Sequence, residues 1–94
     1  MKKEKESGPF EVGKNYLIRT VTMIYTGKLV KVFEKELVIT DAAWIPETKR
    51  WAQSVREGVF AEVEPYPDNI EVIIGRGSIL DVTPIVWKLP RIQF

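Results

Sequence analysis

The sequence predicts a small, mostly β domain whose short strands bend into a barrel, with one short helix inserted between the third and fourth barrel strands. Three observations predict it. Segments rich in Tyr, Ile, Val and Thr recur at strand length between Asn15 and Thr83, and these residues suit a half-buried pleated surface. Gly and Pro punctuate them, as at Gly27, Pro46, Gly58 and Gly75-Arg76-Gly77. Only one stretch changes to a helical period. Many short strands with glycine-marked bends favour a small barrel, in which closure hides the strand edges.

Taken in order, the start Met1–Glu6 reads M-K-K-E-K-E with no apolar run behind it, the pattern of a solvated tail and not of a signal peptide. A loop marked by Gly8-Pro9 and closed by Gly13 leads to the first long β segment, Asn15 to Val32. On a two-residue period Leu17, Val21, Met23 and Tyr25 share a face. Arg19 interrupts that face, so its head must reach solvent or a carboxylate. Gly27, inside the run, marks a bulge or sharp bend.

Leu37–Ile45 is the next strand, apolar on both faces at its start, and Pro46 is expected to stop it. From Pro46 to Glu57 the period turns helical, with Trp51 and Val55 four apart, Pro46 suited to a first turn and Gly58 to a C-terminal cap. Phe60–Glu64 alternates as a strand, Pro65–Asn69 is a turn, Ile70–Ile74 is a strand, and Gly75-Arg76-Gly77 is a tight connection into Ser78–Thr83. Pro84–Phe94 is apolar with prolines at 84 and 90, which suits either an edge strand or an arm lying on a neighbour. One domain over 1–94 is expected, with a tail at 1–13, an insertion at 46–64 and a C-terminal arm at 84–94.

Composition narrows the chemistry. The 94 residues contain no Cys and no His. That removes thiolate–imidazole zinc sites and Ser-His-Asp or Cys-His nucleophile arrangements, and no cofactor or catalytic residue is expected. The absence of Cys fits a reducing, cytoplasmic setting, and no run of about 20 apolar residues exists to span a bilayer. Fourteen Lys and Arg against 13 Asp and Glu give a formal charge of +1. Any nucleic-acid site must then be a local concentration of positive charge. Glu62 and Glu64 share a strand face, but alternating charge on a strand is ordinarily its wet face, and a barrel of this size offers little room for a catalytic cleft.

Two stretches resemble the signature motifs of the Sm and Sm-like family. Gly27-Lys28-Leu29 with Leu37-Val38-Ile39-Thr40-Asp41-Ala42 resembles the first motif. Ile73-Ile74-Gly75-Arg76-Gly77-Ser78-Ile79-Leu80-Asp81-Val82 resembles the second. The resemblance as a whole covers about half the chain, and the Arg-Gly turn between two apolar strands is its more specific part. The resemblance implies a five-stranded, strongly bent Sm-like (SH3-like) barrel, with Gly77 free to take a positive φ in the turn. It also implies a closed homo-oligomeric ring, pentamer to heptamer, and a non-enzymatic role in binding RNA or single-stranded DNA, with no membrane partner and no small-molecule substrate. The compact, cysteine-free chain suits a divergent phage or bacterial member.

The sequence departs from the family at three places. The loop Phe33-Glu34-Lys35-Glu36 lacks the Asp and the base-reading Asn of RNA-binding members, so Lys35 does not inherit the Asn's role. The first hairpin has Thr20-Val21-Thr22 in place of Asn-Gly, and the 46–64 insertion is longer than usual.

The candidate nucleic-acid-binding residues are Arg76, Gly77, Lys35 and Phe33. Arg76 suits a phosphate contact or a stack on a base, and equally a pair with Asp81 or Asp41 that holds the turn. Phe33 suits a stacking platform or burial at a strand end. Lys28, Lys31 and Lys35 with Arg76 would form a basic patch, diluted by Glu34 and Glu36. Trp44, Trp51 and Trp87 are expected as packing residues or subunit-contact anchors.

Overall fold

The computed structural model describes residues 8–93, so the polar stretch Met1–Glu6 lies outside the described residues. The elements are β1 (Asn15–Thr20), β2 (Ile24–Val32), β3 (Glu36–Thr48), α1 (Trp51–Glu57), β4 (Phe60–Pro65), β5 (Val72–Gly75), a 3₁₀ turn (Arg76–Ser78) and β6 (Ile79–Pro84). Every pairing is antiparallel. The sheet runs β4-β3-β2-β1-β6, and β5 also pairs with β3. The mostly-β class and the position of the helix agree with the sequence reading. The sheet has six strands and an open hydrogen-bonded path, where five closed strands were expected. The sixth is β4, the strand read within the insertion, which pairs with the second half of β3.

Strand β3 organises the sheet. Its first half pairs with β5, from Glu36 opposite Gly75 to Ile39 opposite Val72, and its second half pairs with β4. Between the halves Asp41 adopts φ 50, a left-handed conformation that a residue other than Gly takes only under local constraint. There the β2–β3 register slips, because Thr26 faces Ala43 while Lys28 faces Thr40, leaving an extra residue on β3. Gly27 lies opposite this bulge. A Cβ there would come 2.7 Å from Ile39 Cδ1 and 3.0 Å from Ile39 Cβ, so the strands can approach this closely only at glycine. The bend expected at Gly27 is therefore shared with Asp41 on the neighbouring strand.

Pro46 does not stop β3, which continues to Thr48. Pro46 falls in the register shift between Trp44 and Glu47, where its missing N–H interrupts no regular pairing. The helix is accordingly shorter than the Pro46–Glu57 stretch suggested. Val21 and Met23 also depart from expectation: β1 ends at Thr20, and both lie exposed at the hairpin. Thr20 closes that hairpin in place of Asn-Gly. Its Oγ1 accepts from Met23 N at 2.9 Å and donates to Met23 O at 2.8 Å.

The sheet is packed on both faces. Tyr16, Ile18, Leu29, Ile39 and Ile74 form one core on one face of the sheet. Leu17, Ala43, Ile45, Phe60 and Val63 form a second, covered by Trp51 and Val55 of α1 and by Ile85 and Trp87 of the arm. Strand β1 alternates between them, with Tyr16 and Ile18 in one and Leu17 in the other, and all three are buried.

A seven-residue helix is not stable alone in water, and α1 depends on these contacts. Gly58 ends it with φ 71 and donates to Ser54 O at 2.9 Å, the cap the sequence indicated. The fully buried Ser54 hydroxyl accepts from Lys49 N at 3.1 Å and donates to Val59 O at 2.8 Å, tying together the segments that flank the helix. The arm lies on its own chain. Trp87 Nε1 donates to Val55 O at 2.8 Å, and its ring meets Phe60 edge-on, with centroids 5.6 Å apart. Arg91 donates to Ala42 O at 2.9 Å and to Tyr66 O and Asp68 Oδ1 at 2.8 Å each. No helix among the described residues is long and apolar enough to cross a membrane.

Candidate nucleic-acid interface

Two connections meet at the start of β3. The β2–β3 loop is tight, closed by Phe33 N donating to Glu36 O at 2.8 Å. Pairing of Glu36 with Gly75 brings the β5–β6 turn alongside it. Arg76 then links the two. Its backbone N–H donates to Lys35 O at 2.8 Å, and its Nη1 donates to Phe33 O at 2.8 Å. The structure thus brings together all four residues singled out from the sequence: Phe33, Lys35, Arg76 and Gly77.

Their states differ. The Phe33 side chain is 51% exposed, so it is not buried at a strand end. Lys35 is exposed and makes no ion pair with a described residue. Gly77 sits in the 3₁₀ turn without a positive φ, and a Cβ there would meet nothing within 4 Å. Gly77 does not use its freedom to take a positive φ, because Arg76–Ser78 forms a right-handed 3₁₀ turn that any residue can adopt. Ser78 Oγ closes the turn by donating to Gly75 O at 2.8 Å.

Arg76 pairs with neither Asp81 nor Asp41. Its guanidinium lies 5.1 Å from the ring centroid of Phe10, which meets Tyr16 edge-on. Among the described residues the guanidinium, with five N–H donors, makes one hydrogen bond, to Phe33 O. Phe10 is the member of this cluster that the sequence reading missed, and its only signal was an aromatic residue in an otherwise polar leader.

Asp81 is taken by Arg19, which reaches it from β1. Arg19 Nε donates to Oδ1 and Oδ2 at 3.0 and 3.1 Å, and Nη2 completes the ion pair. Hydrogen bonding from Arg19 holds the Asp81 carboxyl below its ordinary pKa, opposed by partial desolvation, and the same bond raises the Arg19 guanidinium. The Arg19 guanidinium also stacks 4.5 Å over Trp51, so one side chain joins β1, β6 and α1. Burial beside Tyr66 raises the Tyr25 hydroxyl.

The expected basic patch is partly dispersed. Lys31 pairs with Glu71 at 3.9 Å, and Lys28 lines a separate cavity with Asp41 and Lys88. Trp51 and Trp87 pack in the second core, whereas Trp44 is 38% exposed. No protein-family model, curated protein or solved structure matches the chain.

Proposed function

We propose that the protein is a non-enzymatic nucleic-acid-binding module, for RNA or single-stranded DNA, acting as a homo-oligomeric ring of Sm-like protomers in a cytoplasmic setting. The observation that carries this reading is the junction of the two loops. Arg76, whose guanidinium makes one hydrogen bond to a described residue, is held against a half-exposed Phe33 and beside Lys35, which makes no ion pair with a described residue. A cation beside an exposed aromatic ring is the pairing that a single strand requires, phosphate on the one and base on the other.

Ring formation is supported by the strand edges. Among the described residues β5 and β6 each pair on one side only, with β3 and β1, and they carry the exposed Ile73 and Leu80. Pairing β5 of one copy with β6 of the next would satisfy both edges and cover these side chains. The ring would then repeat one weak site about its axis, and avidity would supply the affinity. The β5–3₁₀–β6 connection runs from the partner of β3 to the partner of β1, which is the course a strongly bent Sm-like barrel requires.

Fluorescence anisotropy with labelled uridine-rich, adenosine-rich and DNA oligomers tests the binding. Affinity should fall steeply as salt rises. Arg76→Ala should weaken all sequences alike, and Lys35→Ala should do so less. Phe33→Ala should cost about 1–3 kcal/mol for each base stacked on it. Light scattering tests assembly, and a monomer at micromolar concentration overturns the ring.

Glu34 and Glu36 flank Lys35, and Lys31 is neutralised by Glu71. These favour a second reading, a structural or adaptor ring with no nucleic-acid partner. Absence of binding to every oligomer at low salt would select it.

A further inference from the structure

A second polar site lies on the other side of the β3 bulge. Asn15, Lys28, Asp41, Asp68, Asn69, Lys88, Leu89 and Arg91 surround an open cavity of about 540 Å³, within the size range of ligand sites. Its walls come from β1, β2, the β3 bend, the turn before β5 and the C-terminal arm.

Three observations single it out. Asp41 and Asn69 both line it, and they are the two residues other than Gly with positive φ among the described residues. Such strain collects at functional sites. Among the described residues Lys28 and Lys88 make no ion pair, and the Asp41 carboxylate accepts no side-chain hydrogen bond. Arg91 is committed instead to the frame, since it clamps Ala42 O, Tyr66 O and Asp68.

The unspent groups define the ligand. Two ammonium groups call for an oxyanion of high charge, such as a phosphate. The Asp41 carboxylate calls for hydroxyl donors, and a carboxylate is the usual partner of ribose hydroxyls. A bare phosphate against Asp41 would meet repulsion. In a ribonucleotide the sugar ring separates the phosphate from the hydroxyls, so both sets of groups are served. We propose that this cavity binds a ribonucleotide unit, its phosphate on Lys28 and Lys88 and its ribose hydroxyls on Asp41. The inference does not depend on the Phe33–Arg76 interface.

The test is site-resolved NMR titration of the full chain with AMP, its 2′-deoxy analogue and inorganic phosphate. AMP at millimolar concentration should shift the signals of Asn15, Asp41, Asn69 and Lys88 while those of Phe33 and Arg76 stay in place. The deoxy analogue should bind about tenfold more weakly, the loss of a charge-assisted hydrogen bond. Lys28→Ala with Lys88→Ala should abolish the shifts. Asp41→Asn, which retains a residue tolerant of positive φ, should keep the fold and lose the preference for ribose. A ribo-oligomer that moves the same signals at lower concentration identifies a strand as the source, and AMP outperforming it identifies the free nucleotide. No shift with AMP, or equal binding of AMP, deoxy-AMP and phosphate, overturns the proposal. Shifts confined to Phe33, Lys35 and Arg76 overturn it too, while leaving the loop interface standing.

Discussion

Replacing Gly58 by Ala tests whether the C-terminal arm is an integral part of the fold. Gly58 has φ 71, where a Cβ costs about 1–2 kcal/mol. That Cβ would also enter the Trp87 indole, 2.6 Å from Cε3 and 2.7 Å from Cγ, so the ring must leave its place. Displacing it breaks the bond from Nε1 to Val55 O, about 1 kcal/mol. It also breaks the edge-on contact with Phe60, about 1 kcal/mol beyond the area buried. The substitution should therefore cost about 3–4 kcal/mol, a large share of the stability of a chain this short. Urea unfolding followed by circular dichroism gives the number. The decisive measurement is the double-mutant cycle with Trp87→Ala. With the indole gone, Gly58→Ala should cost only the backbone part, about 1–2 kcal/mol. Equal cost in both backgrounds would refute the reasoning, for it would mean that Trp87 does not sit on Gly58.

Three other outcomes follow from the packing. Asp81 has a folded pKa held below its ordinary 3.8 by Arg19, so its stabilising contribution is complete above that value and is lost as pH falls through the lowered pKa. Wild type should lose more stability than Asp81→Asn on acidification below about pH 4, by a small margin that salt reduces because the pair is partly exposed; parallel curves by acid titration would refute this. Trp51→Ala removes a half-buried ring and the platform for Arg19, and should cost about 1–3 kcal/mol in urea unfolding. Gly27→Ala should cost about 2 kcal/mol, since Ile39 is wedged against that backbone, and a further Ile39→Val should recover part of it.

What the sequence revealed was mainly local. The strand composition, the bend at Gly27 and the glycine cap at Gly58 were legible because each depends on neighbours along the chain. The continuation of β3 through Pro46 was not legible. It depends on β4 and on a register shift that spares the missing N–H. Partner choice among charges was equally hidden. Arg19 and Asp81 are 62 positions apart, and their pairing left Arg76 to Phe10 and Phe33. The four candidate binding residues do converge, because the pairing of β3 with β5 places their loops side by side. The cavity at Asp41 had no local signature. Its walls come from five parts of the chain, and its charges read in sequence as ordinary solvated side chains.

The second core explains how so short a chain can do without disulfides. A domain of this size buries a limited share of its surface, and a single core gives it a thin margin. Here the 46–64 insertion and the arm build the second cluster, so β1 is buried on both sides and α1, β4 and the arm share one apolar cluster. This layer also restricts where another molecule can attach. Leu17, Ile45 and Val63 are covered within the chain, and the apolar groups still exposed along strand edges include Ile73 on β5 and Leu80 on β6. Association through those edges would leave this second cluster intact. Self-association should therefore survive Trp51→Ala and fail with charged residues at Ile73 and Leu80, a contrast that sedimentation velocity can read directly. Loss of assembly in Trp51→Ala, with the fold preserved, would place the contact on the helix instead.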